Sequence, residues 1–149
     1  FLGFEVHRPG VGRLLDRADK AGVVNLKVST DDAAETLAQS AMTPWIDSLY
    51  VLFPDPWHKA RHHKRRLIQP AFLDMLAGRI GAGARLRLAT DWADYAEHML
   101  AVCDAHPAFE NVNGIGGQMP TADDRIETKF ERRGLRLGHT IADFDYRRV

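Results

Sequence analysis

Pro54-Asp55-Pro56 brackets an aspartate between two prolines ahead of Trp57, and from His58 to Arg66 every residue except Ala60 is Lys, Arg or His. Each proline fixes its own backbone and biases the residue before it toward extended geometry, so the Asp55 carboxylate is pre-aimed. A preset acid can stabilise positive charge developing on a reacting group, although a tight turn would use the same three residues. The basic run can grip a phosphate backbone, a contact that positions a nucleic acid without reading its sequence. It equally fits a solvated face or a localisation signal. His58 and His62 are four apart, but no HExxH glutamate accompanies them, and no metal site is expected. Trp57 can stack on a base or cover a core.

Ligands of an open parallel sheet gather outside the carboxyl ends of its strands, which singles out Glu5, Asp32, Asp55 and Asp91. A glutamate at the end of the first strand can accept from both hydroxyls of a ribose, or simply pair with Arg8. Asp32 can accept from an adenine amino group, or belong to a helix start whose dipole favours acids. Thr128 and Glu131 lie three apart on one helical face. Their donors and acceptors suit the edge of a guanine, and the same spacing makes a capping box.

Alternating strands and helices must position these groups. Strands are expected at Phe1 to Val6 (buried), Asn25 to Ser29, Ser48 to Phe53, Ala84 to Thr90 and His139 to Val149. Pro9 and Gly10 open a helix to about Lys20, stopped near Gly22, and Thr30 and Asp31 cap another through about Gln39. A third helix starts at Pro70 and ends between about Leu76 and Ile80. Asp91 to His106 is a fourth, with Trp92, Tyr95, Ala96, Met99 and Cys103 at helical spacing. A Gly, Asn and Pro loop from Asn111 to Pro120 precedes a helix from Asp124 to Gly134. The pattern predicts an α/β fold with a mainly parallel sheet covered by helices on both faces.

The chain has 149 residues, 45% hydrophobic and 27% charged, with 20 Lys plus Arg against 20 Asp plus Glu. One globular domain is expected. With zero net charge, any nucleic-acid signal is local. The single cysteine, Cys103, excludes an intramolecular disulfide and any multi-cysteine zinc site, and suits a reducing cytoplasm. No apolar run nears the roughly 18 residues of a membrane helix, and no signal-peptide pattern opens the chain.

Taken in order along nearly the whole chain, Glu5 to Gly12 (EVHRPGVG), Phe53 to Arg66 (FPDPWHKARHHKRR), Ala89 to Trp92 (ATDW) and Thr128 to Gly134 (TKFERRG) resemble the tRNA (guanine-N7)-methyltransferase family. These bacterial enzymes methylate guanine 46 of the tRNA variable loop. The resemblance implies the class I methyltransferase fold, Rossmann-like, with S-adenosylmethionine as cofactor and tRNA as partner in the cytoplasm. A monomer is expected for the complete enzyme. By the same resemblance Glu5 and Asp32 match cofactor-binding acids, and Asp55 the catalytic and cofactor-contacting aspartate. Lys59 and Asp91 match substrate-binding positions. Arg61, His62, His63, Lys64, Arg65 and Arg66 match the RNA-contact segment, and Thr128, Lys129, Phe130 and Glu131 the guanine-binding motif. A non-catalytic tRNA-binding remnant and a class I methyltransferase acting on another base are the alternatives.

In that family a first strand and a glycine-rich loop precede the Glu5 segment. Here the chain opens at Phe1 inside an apolar run, and Gly114 to Gln118 (GIGGQ) follows the fourth strand, on the wrong side of the topology. The expectation is an incomplete methyltransferase domain over 1–149, its C-terminal part, with the sheet left in two halves.

Overall fold

Two stretches of parallel pairing organise the chain. The computed structural model describes residues 1–40, 44–119 and 126–149, in two compact units, Phe1–Ala41 and Met42–Val149.

In the first unit β1 (Leu2–Phe4) and β2 (Lys27–Ser29) pair in parallel, Phe4 opposite Ser29. Helix α1 (Arg8–Lys20) has a proline in its first turn, and Gly22, at φ +67°, follows its end. Helix α2 (Ala33–Gln39) is capped by Asp32, whose Oδ1 accepts from Glu35 N at 2.9 Å. That corrects the expectation that Thr30 and Asp31 form the cap: the Asp31 carboxylate is taken by the Ser29 hydroxyl. The first strand is not the buried one anticipated, since Phe1 and Leu2 are exposed and Leu37 is the only buried apolar residue described in this unit. A two-stranded ribbon of three-residue strands has too little surface to enclose a core.

The second unit carries a four-stranded sheet in the order β3 (Ile46–Leu52), β4 (Ile80–Thr90), β6 (Ala142–Arg148), β5 (Phe109–Asn111). β3 and β4 are parallel, while β6 runs antiparallel to both β4 and β5, so the pairing is mixed. Leu86 and Leu88 alternate along β4 with Arg85 and Arg87, and the Asp145 carboxylate on β6 accepts from both arginines. Helix α3 (Pro70–Ala77) contributes Leu73 and Leu76 to the core, and α4 (Ala93–Asp104) contributes Tyr95, Met99 and Cys103. They pack with Leu86, Leu88, Phe144 and Tyr146 of the sheet. Burial pushes the Cys103 thiol up to about 12, so it stays a protonated, inert core group.

β4 begins four residues earlier than expected, at Ile80, because the ladder absorbs a bulge: Ile46 faces Ile80, yet Ser48 faces Arg85. Gly83, at φ +82°, lies in the extra length. β5 is not among the expected strands, and its Asn111 falls in the expected loop; its three residues gain strand geometry by pairing with Tyr146 to Arg148. Helix α5 (Lys129–Arg136) starts later than anticipated, with residues 126–128 outside it and Asp124 and Arg125 outside the described residues. No helix among the described residues is long and apolar enough to cross a membrane.

Candidate active site

Asp55 lies three residues beyond β3, on a backbone that departs sharply from ordinary strand geometry. Phe53 and Trp57, which flank Pro54-Asp55-Pro56, have φ of +53° and +47° and are the only non-glycine residues described with positive φ. Left-handed backbone at bulky residues costs on the order of 1–3 kcal/mol each and persists only where surrounding contacts enforce it. Those contacts are present. Phe53 N donates to Ala89 O at 2.8 Å, the Phe53 ring stacks with Phe130 at 6.5 Å, and Asp55 Oδ1 accepts from Trp57 N at 3.1 Å. Arg66 Nε donates to Pro56 O at 2.9 Å, while its guanidinium pairs with Asp94 and lies 4.8 Å from the Tyr95 ring centre. The Asp55 side chain itself is exposed at the tip of this braced elbow.

Arg66 therefore differs from its sequence-based role. With its side chain 1% exposed it is a brace, not an RNA contact, because the carbonyl, the carboxylate and the ring occupy it from three sides. Its hydrogen bond holds Asp94 below the usual carboxylate range. The folded pKa is lowered, so the pair stabilises at neutral pH and fades as acid titrates Asp94. Arg66→Ala is expected to destabilise by about 1–3 kcal/mol, the worth of a charged hydrogen bond to a part-buried carbonyl, and to flatten that acid limb. Thermal unfolding between neutral and acid pH checks it; an unchanged midpoint would remove the brace.

The basic run forms a 3-10 helix, Ala60–Arg65, that leaves Lys59, Arg61, Lys64 and Arg65 exposed and His62 and His63 half-buried. Arg65 lies over the Trp57 ring at 5.0 Å and His62 makes an edge contact with it at 5.8 Å, so Trp57 is held by residues of its own run. His63 Nε2 points toward Asp94 at 3.6 Å. Four cations thus face solvent beside the exposed acid. Among the described residues no three His, Cys, Asp or Glu side chains gather to hold a metal.

Asp91 follows the last residue of β4, and Leu52 and Ala89 are register partners, so Asp55 and Asp91 leave the same end of two neighbouring parallel strands. Asp91 Oδ2 accepts from His139 Nδ1 at 3.0 Å. On its other side the α5 backbone comes so close that a Cβ at position 134 would lie 2.8 Å from both Cβ and Oδ2 of Asp91. Gly134 thus serves close approach and does not stop the helix as anticipated. The stop is a Schellman turn at Gly138, φ +79°, where Gly138 N donates to Leu135 O and His139 N to Gly134 O, each at 3.0 Å.

Thr128 and Glu131 form a reciprocal capping box: Glu131 N donates to Thr128 Oγ1 at 3.1 Å and Thr128 N to Glu131 Oε2 at 3.3 Å. Glu131 is buried, whereas Lys129 and Phe130 are exposed on the same turn. The structure assembles Asp55, Asp91, Phe53 and the start of α5 in one unit. His139, the close approach of Gly134 and the Phe53 to Phe130 stack went unread in the sequence, since each depends on a partner far along the chain.

In the first unit Glu5 and Asp32 leave the carboxyl ends of the paired strands β1 and β2. Glu5 N donates to Ser29 O at 3.1 Å and its Oε1 accepts from His7 N at 2.8 Å. Asp32, exposed, spends one oxygen on the α2 cap. Each acid thus uses one oxygen locally, and a carboxylate with a second acceptor oxygen fits the hydroxyls of a ribose or an amino group.

Solved structures share this architecture at low sequence identity. An rRNA methylase from Streptococcus thermophilus matches 99% of this chain and 72% of its own at a TM-score of 0.61 and 13% identity. A SAM-dependent O-methyltransferase from Thermotoga maritima matches 99% of this chain and 49% of its own at 0.58 and 13%. The fold is that of the class I methyltransferases. A family model described as "Putative methyltransferase" matches residues 1–144, and the chain belongs to that family. The tRNA (guanine-N(7)-)-methyltransferase of Halorhodospira halophila is 54% identical over 99% of this chain and 64% of its own length. That of Aliivibrio salmonicida is 48% identical over 99% and 62%. The chain spans less than two thirds of these relatives.

Proposed function

We propose that this protein transfers a methyl group from S-adenosylmethionine to N7 of guanine in tRNA, at guanine 46 of the variable loop. The observation that carries the reading is the strained, Arg66-braced elbow presenting Asp55 beside exposed Lys59, Arg61, Lys64 and Arg65. Relatives bearing the tRNA (guanine-N(7)-)-methyltransferase name support it.

The chemistry asks little of the protein in proton transfer. When bound, the cofactor supplies an electrophilic methyl on a sulfonium. Guanine N7 carries an in-plane lone pair, so the nitrogen to carbon bond forms as the carbon to sulfur bond breaks, and no proton has to leave first. Positive charge moves onto the purine. Asp55, fixed by its prolines, stabilises that charge and orients the base, and a fixed group avoids reorganisation as the charge arrives. Lys59 and Asp91 hold the substrate, with Phe130 and Lys129 as the exposed part of the guanine motif and Thr128 and Glu131 shaping its turn. Arg61, His62, His63, Lys64 and Arg65 grip the RNA backbone. Glu5 and Asp32 take the cofactor's ribose and adenine.

A tRNA carrying 7-deazaguanine at position 46 tests the atom and the position together. Methyl transfer is expected to fall to background with that tRNA and to proceed with the unmodified one. Equal transfer to both would mean another target, and binding of tRNA without any transfer would favour a tRNA-binding protein without catalysis.

A further inference from the structure

We infer that the outward face of α5 is a second phosphate-binding surface, one that holds the backbone of the same RNA in addition to the cations of the Ala60–Arg65 turn. The inference rests on the RNA-substrate reading and adds to it a surface outside the basic run. Lys129, Arg132, Arg133 and Arg136 fall at i, i+3, i+4 and i+7, the spacing of one helical face, and all four are exposed. The opposite face buries Glu131 and Gly134. A polar, one-signed stripe therefore sits back to back with the face that meets Asp91 through Gly134, and Phe130 of the same helix stacks on Phe53 at the base of the elbow. Whatever reaches Asp55 and Asp91 has α5 for a neighbour.

A solvated charged face is the plain alternative, and its composition argues against it. Stable solvated helices interleave signs, since like charges three and four apart repel. Here four cations repel along two turns. Among the described residues the carboxylate paired with this face is Glu127, 3.6 Å from Arg132 and itself half exposed. The helix C-terminus favours Arg133 and Arg136, but not Lys129 and Arg132 at the other end. The repulsion is relieved when a polyanion binds. Glu127, Lys129, Arg132, Leu135 and Arg136 also line a shallow groove of about 490 Å³, a trough along which a sugar-phosphate strand can run.

The test is the salt dependence of tRNA binding by the protein, wild type against Arg132→Gln, Arg133→Gln and Arg136→Gln combined, with the three arginine to lysine changes as the charge-preserving control. Each lost phosphate contact removes about 0.7–0.9 from the slope of log affinity against log salt, so the glutamine variant, with three contacts removed, should be shallower by about 2–3. The lysine variant should keep the wild-type slope, which a merely structural role would not predict. A glutamine variant with unchanged slope overturns the proposal while leaving the methyltransferase reading intact, provided wild type still methylates tRNA. If the glutamine variant unfolds, a lysine variant with a wild-type melting point but weakened, flattened binding overturns it as well. Wild-type protein that neither binds nor methylates tRNA defeats both readings together.

Discussion

Asp55→Asn is expected to lower single-turnover methyl transfer to tRNA by at least about 100-fold at saturating tRNA and cofactor, the typical loss when one preorganised electrostatic partner is removed. Asparagine keeps the shape and keeps an oxygen to accept from Trp57 N, now at 3.1 Å from the carboxylate, so the elbow should survive the change. Only the charge is withdrawn. An unchanged melting point with the rate loss would assign the effect to chemistry. A near-normal rate would leave Asp55 as a turn residue between two prolines.

Gly134→Ala is the second large effect, and its sign is set by competing terms. Alanine in a helix interior gains about 1 kcal/mol over glycine. Against this, its Cβ would lie 2.8 Å from the Asp91 Cβ, an atom tied to the backbone and unable to swing aside. Overpacking costs about 1–3 kcal/mol, so net stability should fall by no more than about 2 kcal/mol. Activity is more exposed, because relief requires α5 or Asp91 to shift, and if Asp91 holds the substrate as proposed, misplacing it by about 1 Å can cost on the order of 100-fold. A drop of about 10- to 100-fold in methyl transfer with a small change in melting point is the expected result. Gly138→Ala is the contrast: at φ +79° it strains the Schellman turn without approaching Asp91, and should lose stability first. Full activity in Gly134→Ala would separate Asp91 from substrate binding.

Local signals carried much of the fold. Pro9 and Gly22 bound α1, Pro70 opens α3, and the spacing of Tyr95, Met99 and Cys103 marks the buried face of α4. The candidate site was legible where its residues are compressed into neighbours, as in the Pro54-Asp55-Pro56 elbow. It was illegible where a residue's duty is set by a distant partner. Arg66 looks like the other cations of its run and is turned inward only by Pro56 O, Asp94 and Tyr95. Gly134 has the appearance of a helix terminator until Asp91 is placed against it. β5 has no alternation to detect in three residues, and its strand geometry is lent by β6. In the same way the spacing of Thr128 and Glu131 suits a capping box and a proposed guanine motif alike, and only the structure shows that both side chains bond to the backbone of their own turn while Lys129 and Phe130 stay exposed.

The position of β6 has a consequence for biosynthesis. β6 is made after β4 and β5, yet it lies between them and pairs with both. During synthesis β4 therefore waits with one edge open while α4, β5 and α5 emerge, and Tyr95, Met99 and Leu88 wait without Phe144 and Tyr146 to pack against. Non-local pairings of this kind fold late and leave apolar surface accessible in the interval. A ribosome stalled before Ala142 would hold a nascent chain with helices but with β4 and β5 unjoined, a ready client for chaperones, and emergence of β6 would join them in a single cooperative step.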